Sequence, residues 1–226
     1  MLDHVSRPLP IQHVRVTPRS LASPTDPGPD PALDRAVWRA WLAIEPPETF
    51  RAEILEGRIE MWRIGTPPAH ALTANRLRDR LASHLGEGPW AAYMAMHVIG
   101  GHQAWAPDVF VAPDELAGHV GRDGAGVAAS AVALVAEVVA PGRAGLGRDR
   151  SRKRRAYARA GIAVYVIVDD YDGHGTVSVL TGPVAGEERY AAEVRVPYGT
   201  PATVPEGPAK GFAIGEDVTG PGRAAG

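Results

Sequence analysis

From Ala131 to Ala140 the chain reads Ala-Val-Ala-Leu-Val-Ala-Glu-Val-Val-Ala, ten residues whose single polar member is Glu137. A run this apolar is expected to form a strand covered on both faces. An ionised carboxylate in such a strand is strongly disfavoured unless it is paired with a cation or bound to a metal. Any fold this chain adopts must therefore bring positive charge to Glu137. Two other stretches bear on the same problem. Asp108 follows Pro107 at the head of a second apolar run, Val109-Phe110-Val111, and Lys153 lies within Asp149-Arg-Ser-Arg-Lys-Arg-Arg155.

Length and composition set the frame. At 226 residues, with 45% hydrophobic and 22% charged residues, the chain has enough apolar material for one well-packed soluble domain. It has no cysteine, so a disulfide framework and thiolate metal ligation are excluded, and a reducing cytoplasmic setting is expected. No stretch approaches the roughly 20 apolar residues needed to cross a bilayer, and the start lacks the apolar segment of a signal peptide. The formal net charge of -2 gives no global attraction for polyanions. Locally, however, Arg148 to Arg159 holds seven basic residues against one acid, Asp149, a patch expected to steer a nucleic acid.

Periodicity and turn residues outline the order of elements. Residues 1–30 are rich in proline and read as a flexible arm. Leu33 to Ile44 has helical apolar spacing, and Glu53 to Trp62 reads as a hairpin turning at Glu56-Gly57. Ala69 to Leu85 places Leu72, Leu77, Leu81 and Leu85 on an amphipathic helix closed by Gly86. Strands are expected at about 91–99, 104–112 and 131–140. A glycine-rich loop, Pro141 to Gly147, then leads into a helix over about 149–160. Ile162 to Val168 is a continuous β-branched run, and strands at about 175–181 and 188–196 follow, with turns at Asp172-Gly173 and Gly182-Pro183. From about 206 to 226 the chain is rich in Gly, Ala and Pro and reads as a flexible tail. This order describes an α/β (α+β) domain over 31–205, with a mixed sheet flanked by helices.

Hydrolysis of a phosphodiester requires a hard cation to offset phosphate charge, together with an activated water. Mg²⁺ keeps several waters and needs only two or three carboxylates, and Mn²⁺ is a substitute with the same preference for oxygen. Asp108 and Glu137 supply two carboxylates. Lys153 shares a helix face with Asp149 and Tyr157 at i, i+4 and i+8, and its compact charge suits water activation or phosphate binding. Arg152, Arg155 and Arg159 lie on a neighbouring face and are candidates to touch a substrate backbone. His97, His102, His119 and His174 lack zinc-like spacing.

The ordered series Pro107-Asp108, Ala136-Glu137-Val138, Asp149-x-x-x-Lys153-x-x-x-Tyr157-Ala-Arg-Ala-Gly-Ile162 and Tyr165-Val-Ile-Val-Asp169 resembles the bacterial Uma-two family. These are restriction-endonuclease-like proteins of the PD-(D/E)xK nuclease superfamily. Glu53-Ile-Leu-Glu-Gly-Arg-Ile and Pro68-Ala-His70 fall where that family places its first hairpin and a histidine opening the next helix. The likeness spans roughly residues 33 to 200. It implies a restriction-endonuclease-like fold, a Mg²⁺-dependent endonuclease acting on DNA, and a metal held at Asp108 and Glu137 with Glu53 as auxiliary acid. Val139 stands two positions after Glu137, where the superfamily's usual lysine would be. The resemblance therefore implies that the lysine has moved to the next helix as Lys153; His70, Arg152, Arg155 and Tyr157 are the candidates to bind substrate around it. Relatives often carry Ser-Pro where this chain has Ala140-Pro141. Cutting both strands with one site per chain suits a homodimer.

Two other readings compete. Gly142, Gly145 and Gly147 before a helix suggest a phosphate cradle, but their spacing fits neither common phosphate-loop pattern, and Asp149 would repel the ligand. A catalytically weak or inactive nuclease-fold protein that binds nucleic acid would keep the same elements.

Overall fold

The computed structural model describes residues 30–63, 67–139 and 142–222, so nearly all of the expected N-terminal arm, Ala140-Pro141 and the last four residues lie outside the described part. The elements follow the expected order. Helix α1 (Pro31–Leu42) precedes a hairpin of β1 (Phe50–Leu55) and β2 (Arg58–Arg63), and α2 spans Pro68–Leu85. Both hairpin turn residues, Glu56 and Gly57, take positive φ, 54° and 72°, the left-handed geometry that a two-residue hairpin turn requires. On α2 the buried face is His70, Ala74, Leu77 and Leu81, while Leu72 is exposed.

The two long apolar stretches after α2 each divide. The first gives β3 (Trp90–Tyr93) and β4 (Val98–Gly100), and the second gives β5 (Gln103–Trp105) and β6 (Val109–Pro113). Members of each pair join different sheets, so one hydrophobic run serves two layers. The short β7 (Val127–Ala128) and the strand β8 (Leu134–Val138) follow. Chain from Gly142 onward is helical rather than a loop: α3 (Gly142–Gly147), a π-helical turn (Arg148–Arg152) and α4 (Lys153–Arg159) run consecutively. The phosphate-cradle reading requires Gly142, Gly145 and Gly147 in a loop ahead of a helix, and all three lie within α3 instead.

Strands β9 (Val164–Asp169), β10 (Thr176–Val184) and β11 (Arg189–Pro197) complete the large sheet, ordered β11-β10-β9-β8-β6-β3. It is mixed, as expected: β8 pairs parallel with β9 and antiparallel with β6. Gly182-Pro183 sits inside β10, and the turn to β11 is made by residues 185–188 with Glu188 at φ 52°. A second sheet, β2-β1-β5-β4-β7, takes the hairpin.

Side-chain alternation along β8 explains the position of the carboxylate. Leu134, Ala136 and Val138 face one cluster that includes Leu77 and Leu81 of α2. Val135 and Val139 face the opposite cluster with Ala156 and Tyr157 of α4, together with Leu55 and Trp105 of the second sheet. Strand parity puts Glu137 on this second face, between the two sheets and under α4.

The stretch from 206, read as a loose tail, folds in its described part. Strands β12 (Ala202–Thr203) and β13 (Ala213–Ile214) pair, the short α5 spans Glu216–Thr219, and Phe212, Ile214 and Val218 join the α2-side core. Turn glycines, which made the sequence look unstructured, punctuate elements that bury their apolar members. Deleting 206–226 is expected to lower stability by several kcal/mol, since full burial of each large side chain contributes about 1.5–3 kcal/mol. A fall in Tm and in the denaturant midpoint checks this.

Candidate active site

Four residues singled out in sequence meet at one buried centre. Register brings the first two together: Val109 of β6 pairs with Ala136 of β8, so the next position of each strand sets Asp108 opposite Glu137. Asp108 Oδ2 accepts the Val138 amide at 2.8 Å, which fixes the carboxylate at the strand head. His70, in the first turn of α2, lies 3.1 Å from Asp108 Oδ1 through Nε2. Its Nδ1 is buried with no hydrogen-bond partner.

Lys153 opens α4 and is buried. Its Nζ donates to Glu137 Oε1 at 2.8 Å and to the Ala106 carbonyl at 3.4 Å, and lies 3.3 Å from Glu53 Oε1. The Tyr157 hydroxyl donates to the same Glu137 oxygen at 2.6 Å, so α4 grips the carboxylate at two successive turns. Glu53 enters from β1; its Oε1 accepts the Ala106 amide, and its Oε2 is buried without a partner. Side-chain exposure is 0% at Glu53, 3% at Glu137 and 2% at Lys153, against 24% at Asp108, so the centre opens at Asp108.

The electrostatics follow from this packing. Burial pushes the Glu137 carboxyl up; Lys153 opposes the shift, but the negative charges of Asp108, Asp149 and Glu53 add to it, and the value reaches about 8. Burial also raises Glu53 despite Lys153 and the Ala106 amide. Lys153 is disfavoured as a cation by burial, yet Glu137 and Glu53 outweigh that and raise it. For Asp108 burial acts upward, but the hydrogen bond and charge of His70, with Lys153 and the Val138 amide, hold the carboxyl below its usual value. Glu137 and Glu53 thus share one lysine, and Asp108, paired with His70, adds a third carboxylate beside them. That excess of negative charge, and the unpartnered Glu53 oxygen, are what a divalent cation would relieve. Among the described residues no three Asp, Glu or His side chains form a ready coordination set.

The remaining predicted residues divide. Tyr157 and His70 belong to the centre, whereas Arg152 and Arg155 do not reach it. Arg152 bonds Glu56 at 2.8 Å and Glu60 at 2.6 Å, and Arg155 pairs with Glu56, stapling the hairpin to α4. Each basic residue of the expected patch is ion-paired, including Arg150 with Asp169, Arg154 with Glu193 and Arg159 with Glu188. The local positive field is correspondingly reduced. Sequence reading missed Trp62 and Arg148. Trp62 lies cross-strand from Arg51 and so shares the face of Glu53; its ring has the Arg148 guanidinium 4.8 Å and Lys153 Nζ 6.0 Å from its centroid. Counting outward from the Glu56-Gly57 turn would have put Trp62 on that face.

The Uma2 family model, described as "Putative restriction endonuclease", matches residues 38–214. This chain belongs to the Uma2 family. No curated protein matches it. Among solved structures it is similar to the crystal structure of "a putative nuclease belonging to DUF820 from Anabaena variabilis ATCC 29413". The two superpose with a TM-score of 0.59 at 14% identity, over 80% of this chain and 96% of that one. The likeness establishes the nuclease fold expected from the ordered motifs. The centre of this Uma2 protein lies within the matched span.

The raised carboxylates give this fold a pH signature. Folded Glu137 holds its proton to about 8, whereas the ordinary glutamate value is 4.5. Each upward pH step between those values therefore favours the unfolded chain, which releases the proton more readily. In chelator the Tm is expected to fall across that window and level off above it. Glu137→Gln is expected to flatten the fall, leaving a smaller fall from Glu53 that the lowered His97 opposes below 6.5. Asp108, shifted downward, acts only below its ordinary value of 3.8.

Proposed function

We propose that this protein is a metal-dependent endonuclease that hydrolyses phosphodiester bonds of DNA. The observation that carries the reading is the convergence of Asp108, Glu137, Glu53 and Lys153 at one centre that opens to solvent at Asp108. Membership of a family whose model is described as "Putative restriction endonuclease" supports the reaction class.

Asp108 and Glu137 would hold Mg²⁺ or Mn²⁺, with Glu53 as the auxiliary acid behind them. When bound, the cation supplies charge to offset the phosphate and to activate a water. The chain's own residues prepare that site. Lys153 and Tyr157 fix the orientation of Glu137, and Lys153 also lowers the cost of having Glu137 and Glu53 charged together. His70 and the Val138 amide hold Asp108 ionised and aimed at the opening. Burial excludes bulk water from Glu137 and Glu53, which strengthens every charge interaction within the centre.

Asp108→Asn and Glu137→Gln are each expected to reduce Mg²⁺-dependent nicking of plasmid DNA to background, with circular dichroism showing that the fold persists and Glu137→Gln melting at a lower Tm. Chelator is expected to do the same to the unaltered protein. Full cleavage by both variants, or cleavage indifferent to chelator, contradicts the reading. Salt-sensitive DNA binding without cleavage under Mg²⁺ or Mn²⁺ would instead identify a non-cleaving nucleic-acid-binding protein, the function that the Val139 substitution would favour.

A further inference from the structure

A lysine ammonium has three N–H donors and no more. At Lys153 three acceptors surround Nζ: Glu137 Oε1 at 2.8 Å, Glu53 Oε1 at 3.3 Å and the Ala106 carbonyl at 3.4 Å. With 2% side-chain exposure, this ammonium has neither a spare donor nor a path to a phosphate. Reaching one would mean leaving two buried carboxylates uncompensated, which is strongly unfavourable.

A second cation stands at the same centre. Arg148 lies in the π-helical turn just before α4, and its side chain is 18% exposed. Nε donates to Asp149 Oδ1 at 2.8 Å and Nη2 to Asp149 Oδ2 at 3.4 Å. A guanidinium carries five N–H donors, so these two bonds leave others for a ligand. Trp62 packs against the guanidinium, 4.8 Å from ring centroid to Cζ, which restricts its swing and defines its plane. The same ring lies 6.0 Å from Lys153 Nζ, so both cations meet one aromatic side chain, and Arg148 is the more exposed of the two. Arg148, Glu137 and Glu53 also act on one another electrostatically. π turns inserted in helices recur at functional sites, and here the turn supplies an arginine that lies over the Trp62 ring.

Resting on the endonuclease reading, we propose that Arg148, held by Trp62 and Asp149, grips a backbone phosphate of the nucleic acid at this centre, while Lys153 serves only to position and neutralise the carboxylates. A planar fork of donors matches phosphate oxygens two at a time, a geometry the lysine lacks. Trp62 is then a positioning residue that acts through Arg148.

The test is binding of a fluorescently labelled DNA duplex in chelator, followed by anisotropy as a function of salt. Arg148→Gln removes the charge while keeping a side chain able to hydrogen-bond Asp149. It is expected to weaken binding about ten- to a hundredfold and to reduce the slope of log affinity against log salt by about one. Arg148→Lys is expected to restore the slope but not the full affinity, because a point charge replaces the fork. If the glutamine variant fails to fold, the pair is removed together as Arg148→Gln with Asp149→Asn, and the slope is read on that protein. An unchanged slope beside normal binding by the unaltered chain overturns the assignment of Arg148 and leaves the endonuclease reading standing. Absence of both binding and cleavage in the unaltered chain overturns the endonuclease reading itself, and this assignment with it.

Discussion

The ion pair between Lys153 and Glu137 is the contact on which the rest of the arrangement depends. Strand β8 is an inner strand of the large sheet, covered on both faces, and Glu137 is its one carboxylate. Without the ammonium 2.8 Å away, each ionisation of Glu137 would leave an uncompensated charge between two packed layers. Breaking a pair of this kind from one side costs about 3–5 kcal/mol, a large share of the stability of a domain this size. The start of α4 is therefore fixed over β8, and with it the π turn that carries Arg148 and the grip of Tyr157 on the same oxygen.

One lysine does not balance three carboxylates. Glu53 arrives on β1 of the second sheet, Asp108 at the head of β6 and Glu137 on β8, so the centre lies where the two sheets and α4 converge. Packing that suited stability alone would place apolar residues there; well-packed hydrophobic replacements of buried ion pairs are often neutral or stabilising. Retaining surplus acid in a region this dry fits a site built to receive a cation and a phosphate. The same surplus raises Glu137 and Glu53, so that the protein without metal carries protons that a bound divalent ion would displace.

Much of this was legible in the sequence, for identifiable reasons. Glu137 announced itself because nothing polar surrounds it, and Lys153 stood out by its helical spacing with Asp149 and Tyr157 together with the family resemblance. The hairpin followed from Glu56-Gly57, whose positive φ values match its turn. Other features were hidden by long-range partners. The runs at 91–99 and 104–112 look continuous in composition, yet each is shared between two sheets, a division that local pattern does not encode. The basic run from Arg148 to Arg159 looked like an open patch because its partners, Glu56, Glu60, Glu188 and Glu193, lie on distant strands and turns. Phe212, Ile214 and Val218 were masked by the glycines and prolines around them, although each is buried. Trp62 and Arg148 gain their meaning only from the cross-strand register and the π turn.

The central claim is that the carboxylates of β6 and β8 form a divalent cation site at the opening of the centre. Soaking crystals of the unaltered protein with Mn²⁺ and recording anomalous scattering tests it most directly. The account predicts one strong peak within coordination distance of both Asp108 and Glu137, absent in crystals of the Glu137→Gln variant. Manganese bound elsewhere, or no peak at these two carboxylates at saturating Mn²⁺, would contradict it.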